Sequence, residues 1–221
     1  MPLNETAPPI AFDFLFDPLC GWCYGAAPTI AKLRAAYPVH FDLHPMGLFY
    51  KESVRPMDAG IANYIRQADQ RLSQMTGQPL GAAYMAKLVT AGAPALNSAP
   101  AIRAILAAES LSPGKGLDLQ ESLQKARFVD GRDITDSAEI GRIAAEHGIS
   151  VDQEMDAVEV DRRIAQSRQM LSRYGMNGVP GLILRGVEAW SGQLDEAIPN
   201  RLNYDSAGLV AHVRERLSKL A

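Results

Sequence analysis

The sequence predicts an α/β fold in which a βαβ unit near the N-terminus and a closing αββα unit are separated by a large all-helical insertion. Three observations favour this fold. Strand-like apolar segments occur only near the two ends of the chain. The stretch between them shows helical periodicity and turn signals. The only two cysteines, Cys20 and Cys23, follow the first strand at the start of a helix.

The first unit is predicted from three consecutive segments. Residues 10–16, IAFDFLF, form a short aromatic-rich run before Asp-Pro, which is typical of a buried strand. The segment CGWCYGAAPTIAKLRAAY has a helical pattern, and Pro28 inside it predicts a kink. Strict alternation then predicts a second strand, with one face formed by Val39, Phe41 and Leu43.

The middle of the chain carries no convincing strand pattern. Gly- and Pro-rich pieces such as TGQPLG, GAPALNSAP and SPGKG mark turns between helical segments. Helices are expected over residues 58–75, 80–91, 99–109, 118–128 and 137–147, followed by a long helix that ends near residue 174.

Strand character returns in GVPGLILRGVEAWSG, where residues 182–184 and 188–190 suit the two arms of a hairpin. The chain closes with an amphipathic helix whose apolar stripe is Leu209, Val210, Val213, Leu217 and Leu220. Without the helical insertion, this order of elements is that of a thioredoxin-like fold. We therefore expect a thioredoxin-like domain from residues 1–55 and 159–221, and an inserted helical domain from residues 56–158.

Composition excludes several classes of function. The chain has 221 residues and a net charge of −3, without the basic excess that nucleic acids or anionic lipids require. No apolar run approaches the roughly 20 residues that span a bilayer. The first basic residue is Lys32, which argues against a secretory signal and predicts a cytoplasmic protein that begins at Met1. A reducing cytoplasm would keep a CxxC pair largely as thiols.

The close spacing of Cys20 and Cys23 indicates chemistry rather than a structural bridge, since a disulfide that closes so short a loop gains little stability. Redox work and metal binding are the two candidates. A structural zinc site commonly takes four ligands, and the chain has no third cysteine. His40 and His44 are spaced HxxxH, but on a strand and on the face opposite its apolar residues. We therefore predict no metal site.

The sequence resembles the DsbA family of thioredoxin-like proteins, particularly its cytoplasmic FrnE-like branch. Four segments carry the resemblance in family order: FDFLFDPLCGWCYG, NSAPAIRAILAAE, ARFVDGRDITD and NGVPGLIL. The resemblance implies a thioredoxin domain interrupted by a helical lid, and thiol–disulfide oxidoreductase or isomerase activity. It also implies that the Val179-Pro180 bond is cis and lies against the redox pair. The dipeptide between the cysteines, Gly21-Trp22, departs from the commonest family patterns and leaves the direction of the reaction open.

Disulfide exchange needs a thiolate that attacks and a second thiol that resolves the mixed disulfide. Cys20 is the expected nucleophile because a helix N-terminus favours a negative sulfur. Cys23, one turn further and more buried, is the expected resolving thiol. Gly21, Trp22 and Tyr24 are candidate substrate contacts, although packing beneath the insertion is an equally good explanation for Tyr24.

Two further sites complete the predicted machinery. Asp13 interrupts an apolar strand, so burial should raise its pKa, and it is a candidate base for the Cys23 proton. The alternative places Asp13 at a polar edge of the sheet. Pro180 is expected to lie beside the thiols. A cis bond there would turn the backbone of Gly178 and Val179 toward a substrate chain that pairs as an added strand.

The sequence therefore predicts a thiol–disulfide oxidoreductase of reductase or isomerase type, acting on protein or small-thiol disulfides without a bound cofactor. Glutathione or a thioredoxin system is the expected redox partner. One alternative is a glutathione-dependent isomerase or transferase of the kappa-type or 2-hydroxychromene-2-carboxylate isomerase group. Those relatives generally carry serine at the position of Cys20 and lack the second cysteine. A non-catalytic chaperone module is the other alternative. The oligomeric state is not predicted.

Overall fold

The computed structural model describes residues 10–151, 155–191 and 206–219. The strands within these ranges are β1 (Ile10–Phe16), β2 (Val39–Pro45), β3 (Gly181–Leu184) and β4 (Glu188–Ser191). They form one mixed sheet in the order β2-β1-β3-β4. β1 runs parallel to β2 and antiparallel to β3, and β3 pairs with β4 as a hairpin. The predicted strands and hairpin are confirmed.

Helices account for most of the remaining described residues. They are α1 (Gly21–Gly25), α2 (Ala27–Ala36), α3 (Ala59–Thr76), α4 (Ala82–Lys87), α5 (Ala99–Leu111), α6 (Lys115–Phe128), α7 (Ser137–Glu146), α8 (Ala157–Arg173) and α9 (Ser206–Ser218). The helix after the cysteines is divided at Ala26, and Pro28 stands in the first turn of α2, where its missing N–H is tolerated. None of the described helices is long and apolar enough to cross a membrane.

The segment between β2 and β3 contains no strand among its described residues, only an isolated bridge between Arg55 and Leu96. Its helices lie close to the predicted ranges, except that α4 is shorter than expected. The α4 helix ends at Lys87, and its C-cap residue Leu88 donates its N–H to the Tyr84 carbonyl. The thioredoxin-like fold with a helical insertion is confirmed. The boundaries of the inserted domain, residues 56–158, stay a prediction.

The core lies on the faces of the sheet and extends into the insertion. Phe12 of β1 stacks on Phe41 of β2, with ring centroids 5.3 Å apart. α9 packs on α2 through the fully buried Leu209 and Val213, while α8 packs on β2. Leu220, the last residue of the predicted stripe, lies outside the described residues. α1 contacts both α3 and α6, so the helix that carries the cysteines is enclosed between the sheet and the insertion.

Candidate active site

The two thiols lie at the start of the helix that follows β1. Cys20 is the N-cap of α1, with extended backbone angles, and its carbonyl accepts the N–H groups of Cys23 and Tyr24 at 3.1 Å. Both cysteines are free. Cys20 is 9% exposed and Cys23 only 1%. The thiol at the helix start is therefore the more accessible of the two, as the sequence predicts.

The loop before β3 brings a second segment to the same place. The Val179-Pro180 bond is cis, which confirms the expectation from the family resemblance. The Cys20 Sγ lies 3.9 Å from the Val179 carbonyl oxygen, although 159 residues separate them in the chain. Because β3 pairs antiparallel to β1, the start of β3 meets the end of β1, where the cysteines begin. Gly178, Val179 and Pro180 are all buried at this point.

Cys23 occupies a closed environment. Its Sγ accepts a weak hydrogen bond, 3.5 Å long, from the backbone N–H of Asp17. Burial, together with the neighbouring Cys20 sulfur, raises the pKa of Cys23 well above its ordinary value. Cys23 is therefore a protonated thiol at neutral pH. It needs a proton acceptor before it can attack a disulfide.

The structure contradicts the prediction for Asp13. Its carboxylate lies 2.8 Å from His44 Nε2 and receives two hydrogen bonds from Arg185. Burial alone would raise its pKa, but the hydrogen bonds and charges of His44 and Arg185 lower it to about 2. Successive strand residues point to opposite faces. Phe14 lines a cavity with Cys23, so Asp13 faces away from the thiols, toward α8.

The carboxylate near Cys23 is that of Asp17. In the sequence, Asp17 indicates only the end of the first strand, and it is not among the predicted site residues. Asp17 is fully buried and accepts hydrogen bonds from the Leu19 N–H, the Leu48 N–H and the Ser98 hydroxyl, at 2.8–3.0 Å. Burial raises its pKa, and these hydrogen bonds oppose the change. The Asp-Pro step three residues before the first cysteine was the available signal for this residue.

The two aromatic residues near the thiols have different surroundings. Tyr24 is buried, stacks on Phe128 with ring centroids 4.7 Å apart, and donates its hydroxyl to the Pro79 carbonyl. Its ring is covered by the insertion, which favours the packing alternative, and its role as a substrate contact stays a prediction. Trp22 is half-buried and packs against the apolar clusters on both sides of α1. Of the two residues, only Trp22 offers surface beside the thiols.

A buried acid from the insertion lies against the dipeptide between the cysteines. A Cβ at Gly21 would overlap the Asp69 carboxylate of α3, so any larger residue would have to displace that carboxylate. Asp69 accepts a hydrogen bond of 2.6 Å from the Tyr84 hydroxyl. Burial raises the pKa of Asp69 to about 6. Nothing in the local sequence of α3 indicates this position, because the contact depends on how the insertion docks.

The two histidines spaced HxxxH bind carboxylates. His44 contacts Asp13, and His40 contacts Asp42 at 3.0 Å, both on the sheet face expected for them. Within the described ranges, no group of three or more His, Cys, Asp or Glu side chains is arranged to hold a metal ion.

The family of the chain follows from comparison with known proteins. The model of the DSBA-like thioredoxin domain matches residues 11–198. The chain belongs to this family and is a DsbA-like thiol–disulfide oxidoreductase. The comparison with curated proteins finds no match.

Solved structures give the same assignment. The chain is 30% identical to the cytosolic disulfide reductase DsbM from Pseudomonas aeruginosa, with a TM-score of 0.79, covering 96% of this chain and 100% of that one. A structure of DsbM with GSH is 28% identical, with a TM-score of 0.77 and coverage of 95% and 100%. A putative protein disulfide isomerase from Nitrosomonas europaea shares the fold at 19% identity, with a TM-score of 0.67 and coverage of 93% and 99%.

Proposed function

We propose that the protein is a disulfide reductase in which Cys20 attacks the substrate disulfide and Cys23 resolves the mixed disulfide. The observation that carries this proposal is the asymmetry of the two thiols. Cys20 caps α1 beside the Val179 carbonyl and is the more exposed, whereas Cys23 is enclosed and has a raised pKa. A more exposed attacking thiol backed by an enclosed one suits a two-step exchange.

The surface around Cys20 supports a substrate that presents an extended disulfide-containing segment. Trp22 contributes half-buried aromatic surface, and the Val179 carbonyl borders the sulfur. Both protein disulfides and small-thiol disulfides meet these requirements. Isomerase activity would use the same two thiols, with attack by Cys20 followed by release of a rearranged substrate.

Glutathione is the proposed reductant that returns the pair to the dithiol, with a thioredoxin system as the other candidate. The similarity to DsbM supports this choice, since one of its structures contains GSH. The description of DsbM as cytosolic also supports a cytoplasmic location. The exchange needs no bound cofactor, because the two cysteines carry both electrons.

Trapping tests the roles of the two cysteines directly. In Cys23→Ser, oxidised glutathione should leave one glutathione on Cys20, and intact-mass measurement should detect the stable adduct. Cys20→Ser is the matched control and should retain none. Adducts on Cys23 in the control, or none in either variant, would contradict the assignment.

Reduction of insulin separates the catalytic proposal from the alternatives. Wild-type protein should accelerate insulin precipitation by dithiothreitol, and Cys20→Ser should not. Equal rates with both proteins would favour a chaperone role. Turnover of a chromene carboxylate with glutathione, retained in Cys23→Ser, would favour the glutathione-dependent isomerase group.

A further inference from the structure

A small cavity lies behind Cys23, on the side of α1 that faces the insertion. Its volume is about 10 Å³, which leaves room for roughly one water molecule. The residues that line it include Cys23, Phe14, Leu117, Gln120, Glu121 and Gln124. The last four belong to α6, so one helix of the insertion supplies the polar wall of this cavity.

That wall carries polar atoms that find no hydrogen-bond partner among the described residues. They are both amide atoms of Gln120, the Nε2 of Gln124 and the Oε1 of Glu121. Gln120 is 1% exposed and Gln124 is 3% exposed. An unpaired buried polar group destabilises a fold, and a bridging water removes much of that cost. The polar wall therefore points to an internal water beside Cys23.

Glu121 connects this cavity with the surface. Its Oε1 is buried, whereas its Oε2 lies 3.5 Å from the Arg34 guanidinium of α2. The other charged group beside it is Asp118, one turn earlier on α6, which also binds Arg34 at 2.9 Å. Burial raises the pKa of Glu121, a change that Arg34 opposes and Asp118 reinforces. The Glu121 carboxylate therefore places one oxygen in the interior, while its other oxygen forms a solvent-accessible ion pair with Arg34.

Asp17, the other acid near Cys23, is poorly suited to accept a proton from it. Its two oxygens already accept three hydrogen bonds, from Leu19, Leu48 and Ser98, out of about four sites on a carboxylate. These contacts tie the turn before the cysteines to the insertion. Protonation of Asp17 would disturb them.

We propose that a water molecule in this cavity joins the Cys23 thiol to Glu121, and that Glu121 takes the Cys23 proton when the mixed disulfide is resolved. Gln120 and Gln124 would hold the water between them. This inference rests on the proposed function, because it concerns the second step of the Cys20–Cys23 exchange. Glu121 acts through the water and is therefore a positioning residue for proton transfer.

Resolution of the mixed disulfide exchanges one sulfur–sulfur bond for another. In the mixed disulfide, the substrate sulfur is bonded to Cys20 Sγ. The Cys23 proton passes to the water, which gives a proton to Glu121 Oε1. The Cys23 thiolate attacks Cys20 Sγ, so the Cys20–Cys23 bond forms and the Cys20–substrate bond breaks. The substrate leaves as a thiolate and takes a proton from solvent. The dithiol has then been oxidised by two electrons, and the substrate disulfide has become two thiols.

Rapid-mixing kinetics with Glu121→Gln tests the relay. With oxidised glutathione, formation of the mixed disulfide at Cys20 should keep its wild-type rate, while release should slow by about 10- to 100-fold, toward the lower end of a general-base contribution. The pH profile of release should also lose its acid-side inflection, a change that a packing defect would not produce. Asp118→Asn is the matched control, because Asp118 lies on the same helix and shares Arg34, and it should release at the wild-type rate.

Gln124→Leu is a second variant that tests the proposed water. It removes a polar contact of the water while leaving Glu121 in place, and it should slow release without changing mixed-disulfide formation. Unchanged release in Glu121→Gln, or equal slowing in Asp118→Asn, would overturn the relay and leave the reductase proposal intact. Failure of Cys20 to form any mixed disulfide would overturn both. A high-resolution crystal structure should show the water, and an empty cavity there would also overturn the relay.

Discussion

Cys20 and Cys23 differ in exposure and in surroundings, although they lie one helical turn apart. Cys20 caps α1 and borders the Val179 carbonyl, while Cys23 packs into the core with 1% of its surface exposed. Burial and the Cys20 sulfur both favour the neutral form of Cys23. The difference arises from the fold around two identical side chains.

Alkylation should reveal this difference. A maleimide should label Cys20 well before Cys23 in the reduced protein, because Cys20 is the more exposed thiol and burial raises the pKa of Cys23. Peptide mapping after short exposure would measure the order. Denatured protein, in which both thiols are exposed, is the control and should label both. Labelling of Cys23 first would reverse the proposed roles.

We expect Asp13 to have a structural role rather than the predicted role in proton transfer. Its pKa is lowered to about 2, so its contribution to stability is present above its ordinary pKa of 3.8 and is lost as the pH falls toward 2. Asp13→Asn should therefore destabilise the protein near neutral pH by about 1–3 kcal/mol, since charged hydrogen bonds to Arg185 and His44 are lost. Release of the mixed disulfide should not change.

Urea unfolding at pH 7, together with the exchange kinetics, would test this role of Asp13. Asp42→Asn is a suitable control, because Asp42 also contacts Arg185 but its side chain is 38% exposed, and its loss should matter less. Slower release with unchanged stability in Asp13→Asn would restore Asp13 to the mechanism.

At the scale of the elements, the close approach of α5 and α6 depends on a glycine. A Cβ at Gly116 of α6 would lie 2.7 Å from the Ile105 carbonyl oxygen of α5 and 2.8 Å from Leu43 of β2. This contact holds α6, which carries Gln120, Glu121 and Gln124, against α5 and the sheet. The position of the polar wall behind Cys23 is therefore tied to a helix crossing remote from the thiols.

Two glycine substitutions should have opposite effects on stability. Gly116→Ala should destabilise the protein by about 1–3 kcal/mol, because α6 must move away from backbone that cannot yield. Gly141→Ala, in α7, meets nothing within 4 Å among the described residues and should stabilise by about 0.5–1 kcal/mol through helix propensity. Chemical denaturation of both variants would measure the difference. Equal changes in the free energy of unfolding would contradict a close approach of α5 and α6 at Gly116.

At the scale of the whole molecule, the insertion is joined to the redox helix through buried charge. Asp69 of α3 lies against Gly21, accepts the Tyr84 hydroxyl of α4 and has Arg127 of α6 among its charged neighbours. Arg127 is itself buried and lies over the Tyr84 ring. Three helices of the insertion thus meet at one acid beside the active site.

This acid should make the stability of the protein depend on pH. Burial raises the pKa of Asp69 from 3.8 to about 6, so its stabilising effect is fully present below about pH 4 and is lost as the pH rises through 6. The shift of about 2 units corresponds to about 3 kcal/mol. Asp69→Asn keeps an acceptor for Tyr84 and should remove this loss, which unfolding measured from pH 4 to 8 would show. Asp130→Asn, at an exposed site, should leave the pH profile unchanged.

The sequence by itself determined the order of the elements, the helical insertion and the identity of the redox pair. Periodicity and turn residues identify strands and helices locally, and the spacing of Cys20 and Cys23 needs no tertiary information. The cis bond at Val179-Pro180 was predicted only through the family resemblance. The end of α4 was missed because the sequence AAYMAKLVTA runs past Lys87 without a glycine or proline that would mark it.

Only the tertiary structure decided which acids surround the thiols. The alternation of side chains between the two faces of a strand is visible in IAFDFLF. Which face meets α1 is fixed by how the sheet packs, and this face carries Phe14 instead of Asp13. The approach of Asp69 and Glu121 depends on the docking of an insertion that follows the thiols by tens of residues in the sequence. Contacts of this kind depend on burial and on the distance between elements, and a one-dimensional pattern does not record either quantity.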